Sequence, residues 1–117
     1  MHVEEIVPFI PAKNYAQSQA FYQSLGFNME YVSDEMSLFK LGASTFFLYQ
    51  HNNEAFADNL MFQLIVEDID NAFQTINSAK KFENVRFEPI KQERWGKVIY
   101  LWGPSGELWQ VTELNLQ

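Results

Sequence analysis

Two histidines, fifteen acidic residues and no cysteine are all that this 117-residue chain offers a metal ion. A divalent centre needs three or four such donors within bonding distance. His2 precedes the first strand and His51 sits at the edge of a polar linker, so both read as solvated. A site could be imagined from His2, Glu5, His51 and Glu113, but their scattered placement disfavours it. Glu4 and Glu5 are neighbours in an extended stretch, point to opposite faces, and cannot act as a paired acid and base. Asp68 and Asp70 read as a helix start, where carboxylates favour the positive end of the dipole. No serine or threonine sits in a nucleophile elbow, and the five glycines are too scattered for a phosphate loop. The abundant groups are rings: 11 Phe, 5 Tyr and 3 Trp. Their chemistry is stacking and cation–π contact, worth ~0.5–2 kcal/mol each.

The elements that would position these rings come in two similar halves. Ile6 to Ile10 reads as a strand that Pro8 confines to an edge or a bulge. Asn14 is placed to cap a helix over 15–25, which Gly26 ends in a positive-φ position. Strands follow over 27–33, 36–41 and 45–50, joined by turns at Ser33-Asp34-Glu35 and Gly42-Ala43-Ser44. A polar linker over 51–59 carries Glu54 and Asp58. The order then repeats: a strand over 60–66, and a helix from Asp68 or Asp70 to about Ala79 with Ile69, Ala72, Phe73 and Ile76 at helical spacing. Strands follow around Val85-Arg86-Phe87 and over 97–102 and 107–113, with a turn at Pro104-Ser105-Gly106. The expectation is an α+β fold, one domain over 1–117. It is built as two βαβββ modules, about 4–50 and 60–114, on either side of the linker.

The run from Val7-Pro8-Phe9-Ile10-Pro11-Ala12-Lys13-Asn14-Tyr15 through Ala20-Phe21-Tyr22 and Leu25-Gly26-Phe27 resembles the first module of the vicinal-oxygen-chelate superfamily. The stretch Glu93-Arg94-Trp95-Gly96-Lys97, then Gly103-Pro104-Ser105-Gly106-Glu107-Leu108, resembles the closing module of its bleomycin-resistance branch. Asp58-Asn59 and Asp68-Ile69-Asp70 also sit where that branch has similar residues, so the resemblance spans the chain. It implies sheets that curve into an open cup, a crevice completed by a second subunit, and a small-molecule ligand. Trp95 matches the tryptophan that lines the antibiotic crevice in bleomycin-binding members. Tyr31 and Met36 fall where those members place aromatic contacts, and Phe62 or Gln63 would take the lining position after the linker. The superfamily's metal positions fall on Val7, Leu48, Leu60 and Gln110. Three are aliphatic and Gln110 alone would be a weak oxygen donor, so no metal and no cofactor are expected.

Most rings are expected to fill the interior: Phe21, Phe27, Phe47, Phe73, Phe82 and Trp109. Phe9, Tyr31, Phe39, Phe46, Phe62, Trp95 and Trp102 remain for the cup. Period-two alternation places Phe9 with Val7, Phe46 with Leu48 and Phe62 with Leu60. The candidate ligand-binding residues are therefore Tyr31, Met36, Phe46, Phe62, Gln63, Trp95, Trp102 and Gln110. A formal charge of -7 disfavours nucleic acid, which needs a lysine or arginine surplus. No run of ~20 apolar residues suggests a membrane span, and residues 1–10 lack the basic start and apolar run of a targeting segment, so a cytoplasmic protein is expected. Acids such as Glu30, Asp34, Glu35, Asp58 and Glu93 could rim a pocket for a cation. The expected function is a metal-free, homodimeric binding protein that sequesters an aromatic cationic compound such as a bleomycin-type antibiotic. The alternative is an enzyme of the same superfamily, metal-free or with a metal bound unconventionally, or a relative, acting on an unknown small metabolite.

Overall fold

Asn14 starts the first helix as its residue type requires: its side-chain oxygen accepts the Gln17 N–H at 3.0 Å. The computed structural model describes residues 1–51, 57–79 and 82–115; most of the expected linker, including Glu54, lies outside them. In the first module β1 (Phe9–Ala12) leads into α1 (Tyr15–Ser24), then β2 (Asn28–Ser33), β3 (Met36–Leu41) and β4 (Ser44–Gln50). Gly26, with φ of 105°, turns the chain out of α1. These strands form one sheet in the order β1-β4-β3-β2. β1 is an edge, which tolerates Pro11, and it runs parallel to β4; the Pro8 carbonyl extends the ladder by accepting the Phe47 N–H at 2.9 Å.

The second module repeats the plan. β5 (Met61–Ile65) precedes α2 (Ile69–Ser78), whose cap Asp68 accepts the N–H groups of Asp70 and Asn71 through Oδ1 at 3.0 and 3.2 Å. β8 (Gly96–Trp102) and β9 (Leu108–Leu114) complete a sheet in the order β5-β9-β8-β6, with β5 and β9 parallel. One feature departs from the expected strand order. The strand around Arg86 is only β6 (Arg86–Phe87), and a further short strand, β7 (Lys91–Glu93), pairs with the start of β8. Pro89 stands between them, and without an N–H it cannot continue a ladder.

The helix-side faces of both sheets contribute to one buried cluster centred on Tyr22, which is fully buried. Its ring centroid lies 5.0 Å from Phe21, 4.9 Å from Phe46, 6.0 Å from Phe27 and 5.9 Å from both Phe39 and Trp109. Because Phe46 belongs to the first module and Trp109 to the second, Tyr22 ties the two together. With these faces joined, the opposite faces of the two sheets point outward.

Gly96 is required by space. A Cβ there would lie 2.2 Å from the Glu113 carbonyl oxygen, and that oxygen is fixed in the β8–β9 ladder. Gly96→Ala is therefore expected to destabilise the fold by about 2–3 kcal/mol, the range of an overpacked interior site. The denaturation midpoint measures it, and an unchanged midpoint would mean that the ladder yields.

Candidate ligand-binding site

Pairing register decides which rings face outward. Phe9 on β1 is level with Phe47 on β4, not with Phe46. The two rings stack at 4.8 Å, and Tyr49 stands edge-on to Phe9 at 6.1 Å. Met36 is level with Tyr49 and Leu38 with Phe47, so the outward face of the first sheet carries Phe9, Phe47, Tyr49, Met36 and Leu38. Phe9 is 54% exposed, which marks this face as open.

This corrects the expected faces. Phe46 and Leu48 are buried on the helix side, where Phe46 stacks on Phe39 at 5.4 Å. Phe39 and Phe46, expected in the cup, are core; Phe47, expected in the core, faces outward. The physical reason is that Phe46, Phe47, Leu48 and Tyr49 are apolar on both strand faces, so alternation carries no sign. Lys40 on β3 held the missing signal: a solvated lysine puts Met36 and Leu38 on the outward face with it. Tyr31 lies on the exposed edge strand level with Ser37, a buried residue beneath α1, and thus on the helix-side face. Its hydroxyl donates to Asp34 at 2.9 Å, and that bond raises the phenol's pKa. Of the residues expected in the cup on this sheet, Phe9 and Met36 join the open face.

On the second sheet Gln63 and Gln110 are level with each other, and Tyr100 is level with Gln110. The next row holds Met61, Leu108 and Trp102, with Arg86 beyond. The structure thus brings Gln63, Gln110 and Trp102 to one outward face. Phe62 is level with Trp109, packs its ring 5.0 Å away and belongs to the helix side. Trp95, 45% exposed, sits in the β7–β8 turn at the opposite end of β8 from Trp102, about 20 Å away at ~3.3 Å per residue. The expected residues therefore do not form one cluster within a chain. Phe9, Phe47, Tyr49, Tyr100 and Arg86 complete the two faces.

Charges on these faces are largely committed. The Arg86 guanidinium lies 3.8 Å from the centre of the Trp102 ring, a cation–π pair internal to the protein. The Tyr100 hydroxyl donates to Glu93 at 2.5 Å, which raises the phenol's pKa. Glu30 pairs with Lys40 and Asp58 with Lys13, both at 3.3 Å. Two of the five acids expected at the rim, Glu30 and Asp58, are thus offset by a lysine, while Asp34 and Glu93 accept neutral tyrosine hydroxyls and keep their charge.

A superfamily metal does not fit these residues. Leu48 points into the core, and its outward neighbours are Phe47 and Tyr49. Met61 and Gln63 take the outward positions of β5, and the neutral amide oxygens of Gln63 and Gln110 are too few and too weak as donors to hold the ion. Glu5 accepts from Thr45 and Glu113 from the Ile69 N–H, so the imagined His2, Glu5, His51 and Glu113 set is dispersed. Among the described residues no three His, Asp or Glu converge.

Two βαβββ modules, each ending in a sheet with one open face, define a paired-module α+β architecture. It is the fold of the vicinal-oxygen-chelate superfamily. A bleomycin-binding protein complexed with bleomycin is similar over 97% of this chain and 100% of that one, at TM-score 0.80 and 18% identity. The bleomycin-binding protein of bleomycin-producing Streptomyces verticillus, complexed with copper(II)-bleomycin, superposes at TM-score 0.82 and 16% identity, covering 98% of this chain and 99% of that one. A genomically encoded fosfomycin resistance protein of Listeria monocytogenes, complexed with Mn(II) and sulfate, gives TM-score 0.78 and 15% identity over 99% and 94% of the two chains. No protein-family model and no curated protein sequence matches the chain. Among the described residues no helix is long and apolar enough to cross a membrane.

Proposed function

We propose that this protein is a metal-free binding protein that sequesters a planar, aromatic, cationic molecule of the bleomycin type. The observation that carries the proposal is the open ring surface of the first sheet, Phe9, Phe47 and Tyr49, with no converging metal donors on either sheet. Offset rings are suited to stacking on a flat conjugated ligand. The fold likeness to bleomycin-binding proteins supports the same class. Attraction of a cation would come from the overall charge of -7 more than from any single rim acid.

The crevice is proposed to need a second copy. Each chain turns its two open faces outward and exposes Phe9, Met61, Ile65 and Trp95, apolar side chains that a partner would cover. A two-fold partner would set the first-sheet face of one protomer against the second-sheet face of the other, giving two equivalent crevices. That would bring Met36 of one protomer opposite the face that carries Gln63, Gln110 and Trp102, with Trp95 at the far end of the same face. The alternative reading is a superfamily enzyme acting on a small metabolite, metal-free or with a metal bound unconventionally; a stoichiometric transition metal that survives dialysis would favour it.

Titration with copper-bleomycin, followed by tryptophan fluorescence, tests the proposal alongside light scattering. The expected result is saturable quenching by a particle of twice the chain mass. No quenching at high micromolar ligand removes this antibiotic class, and a mass of one chain removes the shared crevice. Trp95→Ala is expected to weaken binding by about 1–3 kcal/mol while changing stability by under ~1 kcal/mol, because its ring is half exposed.

A further inference from the structure

We infer that the cleft between the two modules, on the helix side of both sheets, is a second binding site whose ligand is an apolar amine. The inference does not rest on the function proposed for the outward faces: Phe9, Phe47, Tyr49, Trp95 and Trp102 take no part in lining this cleft.

Its main cavity has a volume of about 560 Å³, within the range that holds drug-sized molecules. A smaller cavity of about 170 Å³ adjoins it and shares the walls Phe27, Ser44, Leu64 and Trp109. Leu25 and Phe27, just beyond α1, form one wall, and the turn from Leu41 to Ser44 forms a second. β5 and one face of α2, with Ala72 and Ile76, close the rest. Most of the lining is aliphatic or aromatic, so water filling the space would find few hydrogen-bond partners. The cavity therefore favours an apolar body.

The head group follows from charge. Glu67 and Asp68 both line the cavity, and no lysine, arginine or histidine does. An anionic head would need free N–H groups at the start of α2, but these are occupied. The Ile69 N–H donates to Glu113 at 2.9 Å, those of Asp70 and Asn71 to the Asp68 side chain, and that of Ala72 to the Asp68 carbonyl at 3.1 Å. Asp68 Oδ1 is committed to this cap, so a ligand ammonium would meet Glu67 and the second oxygen of Asp68. A carboxylate ligand would meet repulsion and no donor.

Trp109 reports on occupancy, being a wall of both cavities. In the chain carrying Trp95→Phe and Trp102→Phe it is the sole indole, so the emission reads this cleft alone. Decylamine, decanol and decanoate are titrated below their micelle concentrations near neutral pH. Decylamine is expected to shift the Trp109 emission saturably and to bind about tenfold more tightly than decanoate. Glu67→Gln should reduce that preference to about threefold or less. Ala72→Phe should abolish the shift by filling the cavity, and Thr75→Phe, nearer the rim, does the same should the first variant fail to fold. Absence of a saturable shift with decylamine overturns the inference, as does decanoate binding as tightly. A Trp109 shift that follows protein concentration with no amine added overturns it too, because a second chain would then fill the cleft. Copper-bleomycin titration of the unsubstituted chain reads the outward faces separately.

Discussion

Tyr22→Phe is expected to lower stability by about 3–5 kcal/mol, although it removes a single oxygen atom. The hydroxyl is fully buried and bonded on both sides: it accepts the Trp109 indole N–H at 2.9 Å and donates to the Glu107 carboxyl at 2.5 Å. The other Glu107 oxygen accepts the Ser105 N–H at 3.0 Å. Phenylalanine strands an indole N–H and a carboxyl oxygen in the middle of the ring cluster. Burial and the nearby carboxyl raise the Tyr22 pKa well above that of a free phenol, so the hydroxyl keeps its proton for this role. Burial also raises the Glu107 pKa, and the bond from Tyr22 opposes that rise.

The pH dependence has a definite sign. A carboxyl whose folded pKa is raised contributes stability that is fully present below the ordinary carboxylate range, and loses it as pH climbs through the raised value. Without Tyr22's hydroxyl the Glu107 value rises further, so the variant's deficit should widen as pH climbs from about 4, the ordinary carboxylate value, through neutrality. Urea midpoints across that range measure it. A deficit under ~1 kcal/mol, or one flat in pH, would show that the carboxyl finds another donor.

The second large effect separates two adjacent residues. Phe46→Ala is expected to cost about 3–5 kcal/mol of stability, since the ring is only 3% exposed and lies 4.9 Å from Tyr22 and 5.4 Å from Phe39. Phe47→Ala removes a ring from the open face. It should leave the chain folded and weaken copper-bleomycin binding about tenfold or more, as for a lost stacking anchor. Thermal melts and the fluorescence titration distinguish the two. The reverse pattern would mean that β4 is shifted by one residue, which exchanges its two faces.

Much of the architecture was legible in short stretches of sequence. Asn14 and Asp68 cap helices, Gly26 ends one, and the order of strands and helices repeats, because each of these depends on neighbours a few residues away. β7 was missed, since two or three residues beside Pro89 carry no periodicity to read. Alternation places Phe46 and Phe62 in the cup and the resemblance places Tyr31 there, but pairing puts all three on the helix side. The bond from Tyr22 to Glu107 joins residues 85 positions apart, and no local pattern announces such a contact.

The scarcity of metal donors, the surplus of rings and the two-module plan belong to the sequence alone, because composition and local capping need no partner strand. Tertiary structure decided which rings the protein spends on its interior and which it leaves open. In a strand apolar on both sides, the hydrogen-bonded neighbour chooses the buried face. Phe9 pairs with Phe47, and one residue of register turns Phe46 from a candidate ligand contact into core.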